Sequence, residues 1–124
     1  MIPKITYCGA NTGMLIFDPK GDIYTCWEKL GIKNHAVGTF KNDFKFNKTV
    51  LDAWQNRTVG NVEQCSKCKY ALWCGGGCAA MLKPREDINI NRSNCMDYPK
   101  VFAKMINNLY DHEYSKELET QDEL

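Results

Sequence analysis

Apolar positions along this chain come in short runs separated by polar stretches. Met14-Leu15-Ile16-Phe17 reads as a short strand, and Asp18-Pro19-Lys20-Gly21-Asp22 as a turn with Pro and Gly where turns favour them. Ile23-Tyr24-Thr25-Cys26-Trp27 reads as the returning strand, so the hairpin brings Cys26 back toward Cys8. Residues 28–47 are mixed and polar, with small apolar pieces at Ala36-Val37 and Phe40, and predict mostly irregular chain. Residues 49–57 predict a short helix with a narrow apolar face of Val50, Leu51 and Trp54, in which Trp54 is a core residue.

Further along, residues 79–82 predict a helical turn that Pro84 ends, followed by a polar loop over 85–94. Pro99 suits the first turn of a helix. Beyond it Phe102, Met105, Ile106 and Leu109 recur at the helical period, which predicts one face packed on the body of the domain. The pattern is that of a small α+β domain: a two-stranded antiparallel hairpin and irregular loops closed off by a C-terminal helix. Residues 1–112 form the expected domain, and 113–124 a polar C-terminal tail or helix end.

Composition changes the picture at one point, the cysteines. A chain of 124 residues supports one modest core, and domains of this size are often stapled by disulfides or metals. Seven cysteines are enough to be that staple, but an odd number leaves one unpaired in a disulfide framework. The opening Met-Ile-Pro-Lys-Ile-Thr-Tyr has neither an apolar h-region nor a small-residue cleavage site, which points away from export. Thiolates on a metal in a reducing cytoplasm fit better. A net charge of +1 gives no basic surplus for nucleic acid, aromatic and basic residues are not interleaved, and no run is long enough to span a membrane.

Four of the cysteines fall in one stretch, Cys65-Ser-Lys-Cys68-Lys-Tyr-Ala-Leu-Trp-Cys74-Gly-Gly-Gly-Cys78. A Cys-x-x-Cys turn converges two thiolates on one centre, and glycine lets the main chain approach a bulky inorganic group with positive φ. Zinc sites take four ligands each, so seven cysteines make one full site and one incomplete, unless His35 or His112 completes the second; each histidine sits in a polar stretch and reads as solvated. Iron–sulfur clusters also take four ligands, yet a cubane with three cysteines and an open iron is chemically useful. The glycine triplet, the nearby aromatics Trp27, Tyr70 and Trp73, and the total of seven lean toward iron–sulfur, with a zinc-stapled protein-interaction module as the alternative.

The series Cys8, Gly21, Cys26, Cys65, Cys68, Cys74, Cys78, Cys95, with its Gly-x-x-x-x-Cys hairpin and Trp-Cys-Gly-Gly-Gly-Cys segment, resembles the SPASM domain. This is the C-terminal auxiliary-cluster domain of many radical SAM enzymes, and the resemblance runs from Cys8 to about Tyr110. It implies two [4Fe–4S] clusters. Carried over by position, Cys8, Cys26 and Cys78 would hold the first, and Cys65, Cys68, Cys74 and Cys95 the second. Cys78 would thus cross from its neighbours to the other cluster. Sulfatase-maturing relatives carry a further cysteine shortly after the first, where this chain has Met14, so the first cluster is expected to have an iron without a cysteine ligand. A substrate thiolate, water, a carboxylate such as Asp22, or a residue outside this chain would fill it.

The Cys-Gly-Ala-x-x-Gly opening at Cys8 also looks like that of peptide maturases installing thioether or related cross-links. The implied role is therefore electron relay, with substrate-cysteine binding at the open iron, during modification of a ribosomally made precursor peptide. The Cys-x-x-x-Cys-x-x-Cys loop that serves S-adenosylmethionine chemistry in the family is missing from these residues, since Cys74-x-x-x-Cys78 is followed by Met81 where a third thiol would stand. No catalytic residue is assigned, and S-adenosylmethionine belongs to a radical SAM barrel partner. The chain is expected to be the C-terminal portion of a longer enzyme or a free-standing domain working with that partner. Nucleophile-elbow, phosphate-loop and His-Glu-x-x-His motifs are also missing.

Overall fold

In a computed structural model describing residues 2–122, with side chains described through residue 114, the turn after Phe17 closes the expected hairpin. Strand β1 (Ile16–Phe17) pairs antiparallel with β2 (Asp22–Tyr24), with Ile16 opposite Tyr24 and Phe17 opposite Ile23. Gly21 takes φ +92° and donates to the Asp18 carbonyl at 3.1 Å, while Asp18 Oδ1 accepts from the Lys20 and Asp22 amides at 2.8 and 3.0 Å. The turn is thus held by a buried aspartate, although turn aspartates usually face solvent.

The hairpin does not stand alone. Strand β3 (Gly38–Thr39) adds to β2 and β4 (Lys45–Phe46) to β3, giving a four-stranded antiparallel sheet in the order β1-β2-β3-β4. The expectation of mostly irregular chain over 28–47 is corrected here. Two-residue strands carry no readable alternation, and pairing rests on backbone bonds such as Val37 N–H to the Ile23 carbonyl at 2.8 Å and Phe40 N–H to Gly21 at 2.8 Å. Gly38 is required, because a Cβ there would meet the Lys45 carbonyl oxygen at 2.6 Å.

Helix α1 (Lys48–Gln55) starts at Asn47, whose Oδ1 accepts from the Val50 amide at 3.4 Å, and it buries Val50 and Trp54 as the periodicity predicts. The principal core joins Ala10, Ile23, Cys26, Val37, Val50, Trp54, Ala79, Ala80 and Ile90, so hairpin, α1 and the chain after Cys78 meet in one place. A second, smaller core of Val59, Val62 and Cys65 lies under the short helices α2 (Glu63–Ser66) and α3 (Ala71–Cys74). Each core therefore contains one buried cysteine.

Helix α4 (Tyr98–Asp122) closes the fold and carries Pro99 in its first turn. Its packing is shorter than the periodicity suggested. Phe102 is half-buried and sits against Tyr70, Trp73 and Tyr98, with ring centroids 5.4 to 6.2 Å apart, whereas Ile106 and Leu109 are 45% and 55% exposed. The helix docks by its first turns and leaves the rest of its apolar stripe uncovered within this chain. The polar end at 113–124 continues α4 as far as Asp122, and residues 123–124 lie outside the described residues. Among the described residues no helix is long and apolar enough to cross a membrane.

Candidate metal centre

All seven cysteines are free thiols. Cys65, Cys68, Cys74 and Cys95 line one cavity of about 60 Å³, together with Tyr70, Ala71, Gly76 and Pro99. Helix α2 delivers Cys65 from the buried side, and the Cys-x-x-Cys turn, closed by a 3.0 Å bond from the Cys68 amide to the Cys65 carbonyl, delivers Cys68. Helix α3 delivers Cys74 and ends there on Gly75, in the left-handed conformation, whose amide returns to the Ala71 carbonyl at 2.7 Å. Cys95 arrives from the far side. Met96 and Asp97 then take φ +46° and +53°, a strained turn that leads the chain from this thiol into α4.

The other three thiols gather elsewhere. Cys8, at the start of a 3-10 turn over Gly9–Asn11, and Cys78 are both electrostatic neighbours of Cys26, at the end of the hairpin. Cys78 and Met14 both pack on the core that contains Cys26, and Met14 is folded back by a 3.1 Å bond from its amide to the Gly9 carbonyl. Although Cys78 follows Cys74 by four residues, it does not line the four-thiol cavity.

The three glycines between them explain that separation. Gly75, Gly76 and Gly77 all take positive φ, between +72° and +88°. A Cβ on Gly75 would lie 2.5 Å from the Thr6 carbonyl oxygen, and one on Gly77 would overlap the Asn94 carbonyl. A Cβ on Gly76 would stand 3.8 Å from Cys65 Sγ and 3.6 Å from Arg57 Nη1. Residues without side chains are needed for the chain to turn away from one thiol group and toward the other.

Burial pushes the Cys26 thiol pKa up; the Glu28 backbone pulls it back down, and Cys78 and Cys8 add to the rise. Burial likewise raises Cys65, with Cys95, Cys74 and Cys68 adding to it and Arg57 opposing. Thiols placed this way ionise reluctantly alone, and a bound metal is what deprotonates such groups outright. Among the described residues, no three His, Cys, Asp or Glu side chains converge tightly enough to hold one metal ion. The four thiols around one cavity are a donor set that either a zinc ion or an iron–sulfur cluster could use. The three-thiol group offers one ligand fewer.

His35 is buried, contrary to its solvated reading. It stacks edge-on against Trp54 at 5.8 Å, and its Nε2 meets the Arg85 carbonyl at 2.9 Å, so Nε2 carries the proton. His112 is exposed beside Glu113. Asp22 pairs with the exposed Lys33 at 2.5 Å. Trp27 is exposed, while Tyr70 and Trp73 pack on Phe102.

The residue that sequence reasoning missed is Arg57. It is 1% exposed and donates from Nε to the Ile90 carbonyl at 2.8 Å, from Nη1 to Gly77 at 3.0 Å, and from Nη2 to Gly76 at 2.9 Å and Arg92 at 3.0 Å. A single arginine after a short helix gives no signal of this, because all of its partners are main-chain carbonyls.

No family model matches the chain, and no solved structure matches it. A curated protein that does is the cysteine-type anaerobic sulfatase-maturating enzyme of Clostridium perfringens (strain 13 / Type A), 27% identical over 110 residues. The match takes in 82% of this chain and 29% of that enzyme, so the chain spans less than a third of its relative's length.

Proposed function

We propose that this chain is an auxiliary domain of a radical SAM maturase and holds two [4Fe–4S] clusters. The observation that carries the reading is the cavity lined by Cys65, Cys68, Cys74 and Cys95, set apart from Cys26 and Cys78 on the principal core, with the exposed Cys8 close enough to Cys26 to feel its charge. Cys65, Cys68, Cys74 and Cys95 would hold one cluster, and Cys8, Cys26 and Cys78 the other.

When bound, the clusters would supply one-electron transfer and, at the three-thiol site, an iron free to take a substrate thiolate. The chain's own residues give these centres their setting. Cys26 and Cys65 anchor them in the two cores, and the Gly75-Gly76-Gly77 turn keeps them apart. The hairpin places Cys26 beside Cys8, where Met14 supplies apolar cover instead of a further thiolate. The radical SAM barrel, with S-adenosylmethionine, would belong to a partner in the same longer chain or a separate one.

The relative's name places cysteine-type sulfatase maturation among its activities, and 27% identity supports a protein or peptide substrate for this chain too. The Cys-Gly-Ala-x-x-Gly opening and Met14 favour cross-linking of a ribosomally made peptide. The test is iron and sulfide content after anaerobic purification: about eight of each per chain supports two cubanes, while zinc without sulfide sinks the reading and leaves a zinc-stapled interaction module.

A further inference from the structure

Arg57 is a buried cation held on the turn between the two thiol groups. Arg57 has its four hydrogen bonds spread over two segments, the Gly76-Gly77 turn that separates the groups and the return loop at Ile90 and Arg92. None of these partners is a carboxylate. A guanidinium out of water with carbonyls alone lacks an anion to offset its charge, and buried charges are normally paired.

Sulfur lies on both sides: Nη2 is held on Gly76, which lines the four-thiol cavity, and Nη1 on Gly77, the residue before Cys78. Burial pushes the Arg57 guanidinium down from its ordinary value, while Cys65, Cys78, Cys8 and Cys74 pull it up; two of these belong to the four-thiol cavity and two to the three-thiol group. The Gly76 position between Arg57 Nη1 and Cys65 Sγ has no side chain to screen the cation from the cavity. Arginine suits the place, because its planar fork stays charged while serving several carbonyls at fixed angles.

We propose that Arg57 is a positioning residue shared by both centres, a fixed positive charge that offsets thiolate and cluster charge on either side and raises both reduction potentials together. The proposal rests on the reading that both thiol groups hold iron–sulfur clusters. Its physical basis is simple: adding an electron next to a buried cation is easier than adding it beside a neutral group, and screening by water is weak there. The same hydrogen bonds that hold the glycine turn also fix the cation's place relative to the two sites.

The experiment is a redox titration of the anaerobically loaded full chain, followed by its absorption and electron paramagnetic resonance, in wild type, Arg57→Gln and Arg57→Lys. Both midpoint potentials should move negative in Arg57→Gln and return toward wild type in Arg57→Lys, even though Lys restores few of the hydrogen bonds and lowers the melting temperature. Unchanged potentials in an iron-replete Arg57→Gln overturn the proposal, as do equal shifts in both variants or a shift at one centre alone. Wild type without iron and sulfide overturns the cluster reading and this proposal with it. Should the variants fail to fold, wild type labelled with 15N-arginine answers the same question. The chain has three arginines, and Arg85→Lys and Arg92→Lys identify the other two guanidinium signals. The remaining signal should exchange slowly with water and shift on reduction of each centre; a response to one centre or neither overturns the proposal.

Discussion

Arg57 Nη2 donates to the carbonyl of Gly76 at 2.9 Å, joining the end of α1 to the turn between the two thiol groups. All three glycines of that turn take positive φ. Gly77→Ala combines a left-handed conformation, costing about 1–2 kcal/mol, with an overlap on the Asn94 carbonyl that overpacking adds to by about 1–3 kcal/mol. Thermal unfolding should show a loss of that combined order for Gly77→Ala. Gly13→Ala, with φ +101° but open space at the Cβ position, should lose the backbone part alone. Equal losses would mean that the close approach at Gly77 does not exist.

The crossing of Cys78 gives a second prediction. Cys74→Ala should empty the four-thiol site and Cys78→Ala the three-thiol site, each leaving about four irons per chain. Electron paramagnetic resonance should then show two different surviving signals. The same signal surviving in both variants would place Cys74 and Cys78 on one centre.

His35 makes stability depend on pH. Burial lowers its pKa below the ordinary value of about 6.5, with Lys29 acting in the same direction and the Arg85 carbonyl, Asp87 and Glu86 opposing. The unfolded chain therefore takes up the proton first. The contribution is fully present above about pH 6.5 and is lost as pH falls below that toward the lowered folded value. Chemical denaturation at several pH values should show wild type weakening through this window more steeply than His35→Gln. Parallel curves would remove the buried histidine from the account.

Helix α4 separates packed from unpacked apolar residues. Phe102→Ala should cost about 1–3 kcal/mol, because it removes a half-buried ring from contact with Tyr70, Trp73 and Tyr98. Leu109→Ser, at an exposed position, should change stability by no more than about 0.5 kcal/mol in the isolated chain. A large loss at Leu109 would show that the helix is covered further along than its first turns.

These contrasts mark where the sequence could be read. The hairpin was legible because Pro19 and Gly21 announce its turn, and α1 because Val50 and Trp54 repeat at the helical period. Strands β3 and β4 were not, since two residues cannot show an alternation and Gly38 contributes by what it lacks. Periodicity in α4 gave the helix and its stripe, but a stripe does not say how much of itself is covered. The cysteine grouping came from resemblance and not from any pattern in these residues, while the buried states of His35 and Arg57 escaped the sequence. Both depend on carbonyl partners far along the chain: Arg85 lies 50 residues from His35, and the four carbonyls on Arg57 lie 19 to 35 residues away.

Iron, sulfide and zinc measured on one anaerobic preparation, together with its absorption spectrum, test the central claim most directly. The account predicts about eight irons and eight sulfides per chain, with broad absorption near about 400 nm that bleaches on reduction. One or two zinc ions and no sulfide, unchanged after anaerobic reconstitution, would contradict it.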